Sequence, residues 1–112
     1  MRYVYMRFPG GKSKCVTFSY DDARKSDIRL SDMLNKYGIK CTFNINGLNF
    51  RNDDAHLNHD EIKKYIIERG HEIAVHGYLH RSTGDLRPIE GIREVLDNRI
   101  ELEKEFGMII RG

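Results

Sequence analysis

An apolar segment that ends in two histidines constrains the fold of this chain more than any other stretch of its sequence. Residues 73–75 are apolar and predict a short buried strand, and His76 and His80 follow the point where that strand ends. If the backbone turns helically there, side chains four positions apart lie on one face. Two imidazoles on one face can bind one divalent metal ion, so this stretch predicts part of a metal site.

Two adjacent carboxylates, Asp21 and Asp22, offer the third ligand that such a site requires. They follow another apolar segment, residues 15–18, which also has the composition of a strand. We therefore predict a divalent metal ion bound by Asp22, His76 and His80, with Asp21 beside it as a general base.

Each half of this predicted site has a simpler interpretation. The two histidines can be a structural side chain at a strand end and an exposed one, and adjacent carboxylates also suit a turn or the first turn of a helix. The two pairs support each other because both follow strand ends. His71 precedes its strand, so we do not expect it to be a ligand.

Strand patterns and helix patterns alternate along the chain. Pro9-Gly10-Gly11-Lys12 predicts a turn that joins the first two strands as a hairpin. The order of elements predicts an α/β fold with a parallel sheet, in which functional groups gather at the carboxyl ends of the strands. The predicted strands cover residues 2–8, 14–19, 39–45, 72–75 and 108–110, and the predicted helices cover residues 26–37, 59–69 and 89–106.

The predicted helices have apolar stripes that we expect to face the core. In the first helix the stripe consists of Leu30, Met33, Leu34 and Tyr37. In the third helix it consists of Ile92, Val95, Leu96, Ile100 and Phe106. Asn58 followed by Glu61 predicts a capping box at the start of the second helix.

The length and the charge of the chain narrow its function classes. It has 112 residues, which we interpret as a single domain over residues 1–112. Its net charge is +2 and opposite charges are interleaved, which argues against a nucleic-acid partner. No apolar run approaches the roughly 18 residues of a membrane span. With two cysteines and no signal-peptide pattern, we expect a cytoplasmic protein.

Three segments carry a family resemblance, in matching order and spacing. They are Thr17-Phe18-Ser19-Tyr20-Asp21-Asp22-Ala23, Cys41-Thr42-Phe43-Asn44-Ile45-Asn46 and Gly70-His71-Glu72-Ile73-Ala74-Val75-His76-Gly77-Tyr78-Leu79-His80. The first resembles the opening motif of polysaccharide deacetylases (the NodB homology domain, carbohydrate esterase family 4). The second is similar to the second strand of that family, and the third is similar to its histidine motif.

The resemblance implies a fold, an activity and residue roles. The fold is a partial (β/α) barrel of the NodB type, with about four parallel strands, three helices and an N-terminal hairpin strand. Asp21 matches the family's catalytic base, and Asp22, His76 and His80 match its ligands for one divalent ion, usually zinc. The implied activity is hydrolysis of N-acetyl groups on a carbohydrate or a related small amide. Ala23 stands where the motif normally has glycine, so a positive φ there would cost energy.

The resemblance covers only the N-terminal half of the family's domain, and we expect the chain to be a truncated one. The motifs that supply an arginine beside the base and a histidine as general acid belong to the other half, so we expect metal binding with weak turnover. The alternative function is a catalytically incomplete remnant that binds metal or carbohydrate. A half barrel exposes strand edges and an uncovered face, which predicts a homo-oligomer.

Overall fold

Three short strands form one parallel sheet in the computed structural model, which describes residues 7–47 and 54–112. β1 is Ser19–Asp21, β2 is Thr42–Ile45 and β3 is Glu72–Val75, in the spatial order β1-β2-β3. Asp21 pairs with Asn44, and Ile45 pairs with Val75. The carboxyl ends of all three strands therefore lie at the same edge of the sheet, as the βαβ order predicts.

Two helical segments connect the three strands, and a third helix follows β3. α1 is Asp27–Lys36, α2 is His59–Ile62 and continues as a π-helical turn over Lys63–Ile67, and α3 is Pro88–Phe106. Asn58 and Glu61 form the predicted capping box at the start of α2, each side chain accepting a hydrogen bond from the other's backbone N–H. Within the described ranges, no helix is both long enough and apolar enough to cross a membrane.

The core lies between the sheet and the helices. It is built from fully buried aliphatic and aromatic side chains of β2, α2, β3 and α3, and it includes the segment after α3. Its largest members are Phe43, Ile45, Leu57, Ile62, Ile66, Ile73, Leu102 and Ile110. The predicted α/β class with parallel strands is confirmed.

Two predicted strand segments are not strands in the structure, and a third lies mostly outside the described residues. The first predicted strand, residues 2–8, lies mostly outside the described residues, and Phe8 pairs with Lys12 only as an isolated antiparallel bridge. Residues 14–18 do not form a strand, and β1 begins at Ser19. Residues 108–110 also form no strand, and among the described residues the Val75 N–H of β3 donates to the Gly112 carbonyl beyond them. The described sheet therefore has three parallel strands, where about four parallel strands and an N-terminal hairpin strand were predicted.

The predicted inward faces of α1 and α3 are wrong at several positions. In α1, Met33 and Tyr37 are exposed while Ser31 is buried. In α3, the four apolar side chains of the predicted stripe before Phe106 are each about half exposed. The buried face of α3 instead consists of Glu94, Asn98 and Leu102. The reason is that α3 packs over a loop whose backbone N–H groups need hydrogen-bond acceptors.

Candidate metal centre

Two loops meet at the carboxyl edge of the sheet. The first leaves β1 and presents Asp22, and the second leaves β3 and presents His76 and His80. One carboxylate oxygen of Asp22, Oδ1, lies 3.5 Å from the Nε2 atom of His76 and 3.5 Å from the Nε2 atom of His80. One potential ligand atom from each of the three predicted ligands thus lies within 4.8 Å of the other two.

This spacing fits one small divalent ion. Zinc bound tetrahedrally at about 2.0–2.1 Å from nitrogen and oxygen ligands holds those ligand atoms roughly 3.3 Å apart. The observed separations from the Asp22 oxygen to both imidazole nitrogens are close to that value. Two imidazoles and a carboxylate are also a common donor set of catalytic zinc sites, which leave a fourth position for water.

The backbone of the first loop has an unusual conformation at its ligand. We call residues 21–27 the aspartate loop, and in it Asp22 has φ 74° and Ala23 has φ 51°. Aspartate adopts the left-handed region more readily than most residues, but alanine is strained there. Ala23 is fully buried, and its carbonyl accepts a hydrogen bond from the Leu57 N–H at 2.8 Å. Ala23 therefore has the positive φ at which an alanine in place of the motif's glycine costs energy.

Neighbouring residues complete the aspartate loop. The N–H of Asp22 donates to the Asn44 carbonyl of β2, and the N–H of Arg24 donates to the Asp27 carboxylate at 2.9 Å. The guanidinium of Arg24 lies 3.3 Å from Oδ2 of Asp22, so the two oxygens of that carboxylate face opposite partners. Burial raises the pKa of Asp27, and its hydrogen bond from Arg24 partly offsets this.

The second loop is held by side chains from other elements. We call residues 76–81 the histidine loop. The N–H of His76 donates to Oδ1 of Asn98 at 2.9 Å, and the N–H of Leu79 donates to Oε2 of Glu94 at 2.9 Å. On the opposite side, the amide of Asn46 donates to the carbonyl of His76 at 2.8 Å. The loop conformation therefore depends on buried polar groups that are distant in sequence.

Glu94 is the most unusual of these groups because it is a buried carboxylate. It is 2% exposed, and its Oε1 atom accepts a hydrogen bond from the Arg81 guanidinium at 2.9 Å. Burial alone would raise the pKa of Glu94, but the hydrogen bonds from the Leu79 N–H and from Arg81 outweigh it and lower that pKa. Glu94 is thus held as a charged acceptor beneath the histidine loop.

Asp21 lies at the rim of the same site. Its Oδ2 atom is 3.8 Å from Nε2 of His76, while its Oδ1 atom accepts a hydrogen bond from the Asn44 amide at 2.7 Å. Sequence reasoning missed Asn44. The sequence pattern that could have identified Asn44 is a polar residue inside the predicted strand 39–45. Because side chains alternate along a strand, Asn44 lies on the face opposite Phe43.

His71 lies away from the predicted metal site. It precedes β3, at the opposite end of that strand from His76, and it is buried with its ring edge against Phe43. Neither of its ring nitrogens has a hydrogen-bond partner among the described residues. Burial lowers the pKa of His71, and the positive charges of Lys40 and Arg69 lower it further.

A cavity of about 590 Å³ opens beside the two histidines. This volume is in the range of sites that bind small ligands. Its walls combine the imidazoles with polar side chains of the segment that follows them and with one aliphatic side chain of α3. They include His76, His80, Arg81, Ser82, Thr83 and Val95.

Comparison with known families gives one match. The family model described as polysaccharide deacetylase matches residues 4–111. No curated protein matches the chain significantly.

Solved deacetylase structures share this fold. The Streptococcus pyogenes deacetylase PplD in complex with acetate has a TM-score of 0.83 and 23% identity, covering 93% of this chain and 46% of that one. The chitin deacetylase of Colletotrichum lindemuthianum has a TM-score of 0.66 and 26% identity, covering 83% and 41%. The peptidoglycan deacetylase PdaC of Bacillus subtilis has a TM-score of 0.61 and 20% identity, covering 84% and 45%. The chain thus spans less than half the length of these structures.

Proposed function

The chain belongs to the polysaccharide deacetylase family, and on that premise we propose that it binds one divalent metal ion, preferably zinc, and hydrolyses N-acetyl groups on a carbohydrate. The observation that carries this proposal is the convergence of Asp22, His76 and His80 at ligand spacing. Two of these residues follow β3 and one follows β1. They come from different parts of the chain, so the local conformation of one loop does not explain why they lie close together.

The site offers the groups that amide hydrolysis requires at its first step. When bound, the metal ion supplies Lewis-acid polarisation of the acetamide carbonyl and acidifies a water molecule. In the overall reaction the water oxygen bonds to the carbonyl carbon, the carbon–nitrogen bond breaks, and the amine nitrogen gains a proton. The products are acetate and a free amine. The PplD structure contains acetate, which supports a site of this class.

Asp21 is the proposed general base. Its Oδ2 atom lies on the side of His76, within reach of a water molecule near the ligands, and the Asn44 amide fixes the other oxygen of the carboxylate. A carboxylate oriented in this way can accept the proton that the attacking water loses. The cavity beside His76 and His80 gives an acetylated sugar room to approach.

Acetate release tests this proposal. The chain with one equivalent of zinc is incubated with N-acetylglucosamine oligomers, and acetate is measured with and without a chelator. We expect slow, zinc-dependent release, and Asp21→Asn is expected to lower its rate by about 10²–10⁴. Asp60→Asn is the matched control because the Asp60 side chain is 94% exposed, and it should leave the rate unchanged. Equal rates in wild type and Asp21→Asn would remove Asp21 from the proposed role.

A second candidate is metal or carbohydrate binding without turnover. It is favoured by the half-exposed apolar side chains of α3, which suit self-association. Wild-type chain that binds zinc yet releases no acetate would select this candidate over the hydrolase.

A further inference from the structure

We propose that Glu94 and Asn98, on the buried face of α3, are positioning residues that hold the histidine loop in its metal-binding conformation. This inference rests on the proposed metal site. It concerns residues that contact neither the metal ligand atoms nor the predicted substrate side of the site, and that act through the backbone of the loop.

The contacts of Glu94 bracket His80. Its carboxylate accepts the Leu79 N–H on one side of that histidine and the Arg81 guanidinium on the other, each at 2.9 Å. Its backbone carbonyl also accepts the Tyr78 N–H at 2.9 Å. His80 itself has φ 54°, a left-handed conformation that is uncommon outside glycine. Glu94 thus accepts three hydrogen bonds from residues on both sides of His80, a predicted ligand with an uncommon backbone conformation.

Asn98 acts one helical turn further along α3. Positions 94 and 98 are four apart, so both side chains lie on one face of the helix. The Oδ1 atom of Asn98 accepts the His76 N–H, and Asn98 is fully buried. The amide of Asn46 donates to the carbonyls of His76 and Gly77 from β2's side of the loop. Both polar groups of the His76 backbone are therefore held by buried side chains.

The pattern of buried and exposed residues in α3 indicates that Glu94 and Asn98 are buried for their hydrogen bonds and not for apolar packing. Burying a carboxylate and an amide while leaving isoleucine, valine and leucine half exposed is unfavourable for simple packing. For the Glu94 carboxylate and for Oδ1 of Asn98 the cost is offset by backbone N–H groups of the histidine loop and by the Arg81 guanidinium, while Nδ2 of Asn98 has no partner among the described residues. The side chain of Glu94 also lies 3.3 Å from where a Cβ on Gly77 would stand, so the loop and the carboxylate fit closely.

Cobalt binding tests the proposal because tetrahedral Co²⁺ has a visible absorption band that reports its ligand geometry. The full chain is compared with Glu94→Met and Asn98→Leu, which remove the acceptors while keeping the approximate volume. Glu94→Gln is the conservative variant, since it keeps one acceptor for the Leu79 N–H. Asp97→Asn, at an exposed position of the same helix, is the matched control.

We expect Glu94→Met and Asn98→Leu to raise the dissociation constant for Co²⁺ about 10–100-fold and to alter the visible absorption band of the bound ion. Glu94→Gln should recover most of the affinity, and Asp97→Asn should match wild type. Circular dichroism confirms that each variant is folded. Folded variants with wild-type affinity and wild-type spectrum would show that these residues serve stability alone and would overturn the proposal.

Amide hydrogen exchange of the metal-free chain separates this proposal from the proposed function. The Leu79 N–H should exchange about tenfold faster or more in Glu94→Met than in wild type, while core amides of β2 change less. If wild type binds no Co²⁺, the metal-dependent function fails, and the exchange of the Leu79 N–H still decides whether Glu94 holds the loop. An unchanged exchange rate would overturn the role of Glu94.

Discussion

The aspartate loop and the histidine loop meet at one site but are stabilised in different ways. The aspartate loop is held through backbone groups, because the Asp22 N–H donates to the Asn44 carbonyl and the carbonyl of the buried Ala23 accepts the Leu57 N–H. The histidine loop has a backbone bond from His76 to Ile45, but it is held chiefly by the buried side chains of Glu94 and Asn98.

This difference predicts different sensitivities. The aspartate loop should respond to side-chain volume and backbone conformation at its own positions, because its neighbours leave no space around Ala23. The histidine loop should respond to polarity at positions more than ten residues away, because its N–H groups depend on acceptors in α3. We expect metal affinity to depend on both loops and the free energy of unfolding to depend mainly on the aspartate loop, because Ala23 is fully buried.

The largest effect is expected at Ala23. A valine there adds two methyl groups to a fully buried position and places a β-branched residue at φ 51°, so Ala23→Val should lower the free energy of unfolding by about 2–4 kcal/mol. Ala23→Gly is the matched control, because relief of strain offsets the lost methyl group, and it should stay within about 1 kcal/mol of wild type. Urea unfolding measures both. A well-tolerated valine would show that the aspartate loop is not confined by its core contacts.

A smaller effect is expected at Gly77. Its φ of 87° disfavours any side chain, and an added Cβ would meet the Glu94 carboxylate at 3.3 Å. Gly77→Ala should therefore cost about 1–2 kcal/mol of unfolding free energy and weaken Co²⁺ binding as well. Equal metal affinity in Gly77→Ala and wild type would contradict the close fit between this loop and Glu94.

The two loops also differ in how far the sequence predicts them. The meeting of Asp22 with His76 and His80 was predicted because each of the two segments follows an apolar run. The capping residues Asn58 and Glu61 were predicted because helix starts depend on local hydrogen bonds. The interior of the histidine loop was not predictable in the same way. Its conformation depends on hydrogen bonds between the histidine loop and side chains of α3, and no local sequence pattern predicts such contacts.

The misassigned face of α3 shows the same limit. Its apolar residues have helical periodicity, and periodicity alone predicts that they face the core. Glu94 and Asn98 are buried instead because their hydrogen bonds to the histidine loop determine the rotation of the helix. In the sequence, this buried polar face is indicated only by Glu94 and Asn98 standing four positions apart in an amphipathic helix.

A third region, away from both loops, should control part of the pH dependence of stability. Burial lowers the pKa of His71 in the folded chain, so between that lowered value and about 6.5 the unfolded chain binds one more proton than the folded chain. Stability should then fall with decreasing pH by up to about 1.4 kcal/mol per pH unit below pH 6.5.

His71→Phe should remove this part of the slope without changing metal affinity, because the ring packs edge-on against Phe43 and binds no ligand atom of the site. Urea unfolding at pH 7.5 and pH 5.5, without metal, measures the difference between the two chains. Identical pH slopes would mean that His71 gains a proton as easily in the folded chain as in the unfolded one.

The smallest effect on stability is expected on the exposed face of α3. Ile92 is 58% exposed, so Ile92→Lys should change the free energy of unfolding by less than about 0.5 kcal/mol. The same change should reduce self-association, which light scattering measures over a range of concentrations. A wild-type chain that stays monomeric at all concentrations would contradict the homo-oligomer predicted from the sequence.

Metal stoichiometry tests the central claim, that Asp22, His76 and His80 form one metal site, most directly. The purified chain is titrated with zinc by calorimetry alongside His80→Ala and His71→Phe. We expect one ion per wild-type chain, the same stoichiometry and affinity in His71→Phe, and loss of high-affinity binding in His80→Ala. Equal affinity in wild type and His80→Ala, or equal loss in both variants, would contradict the assignment of this site.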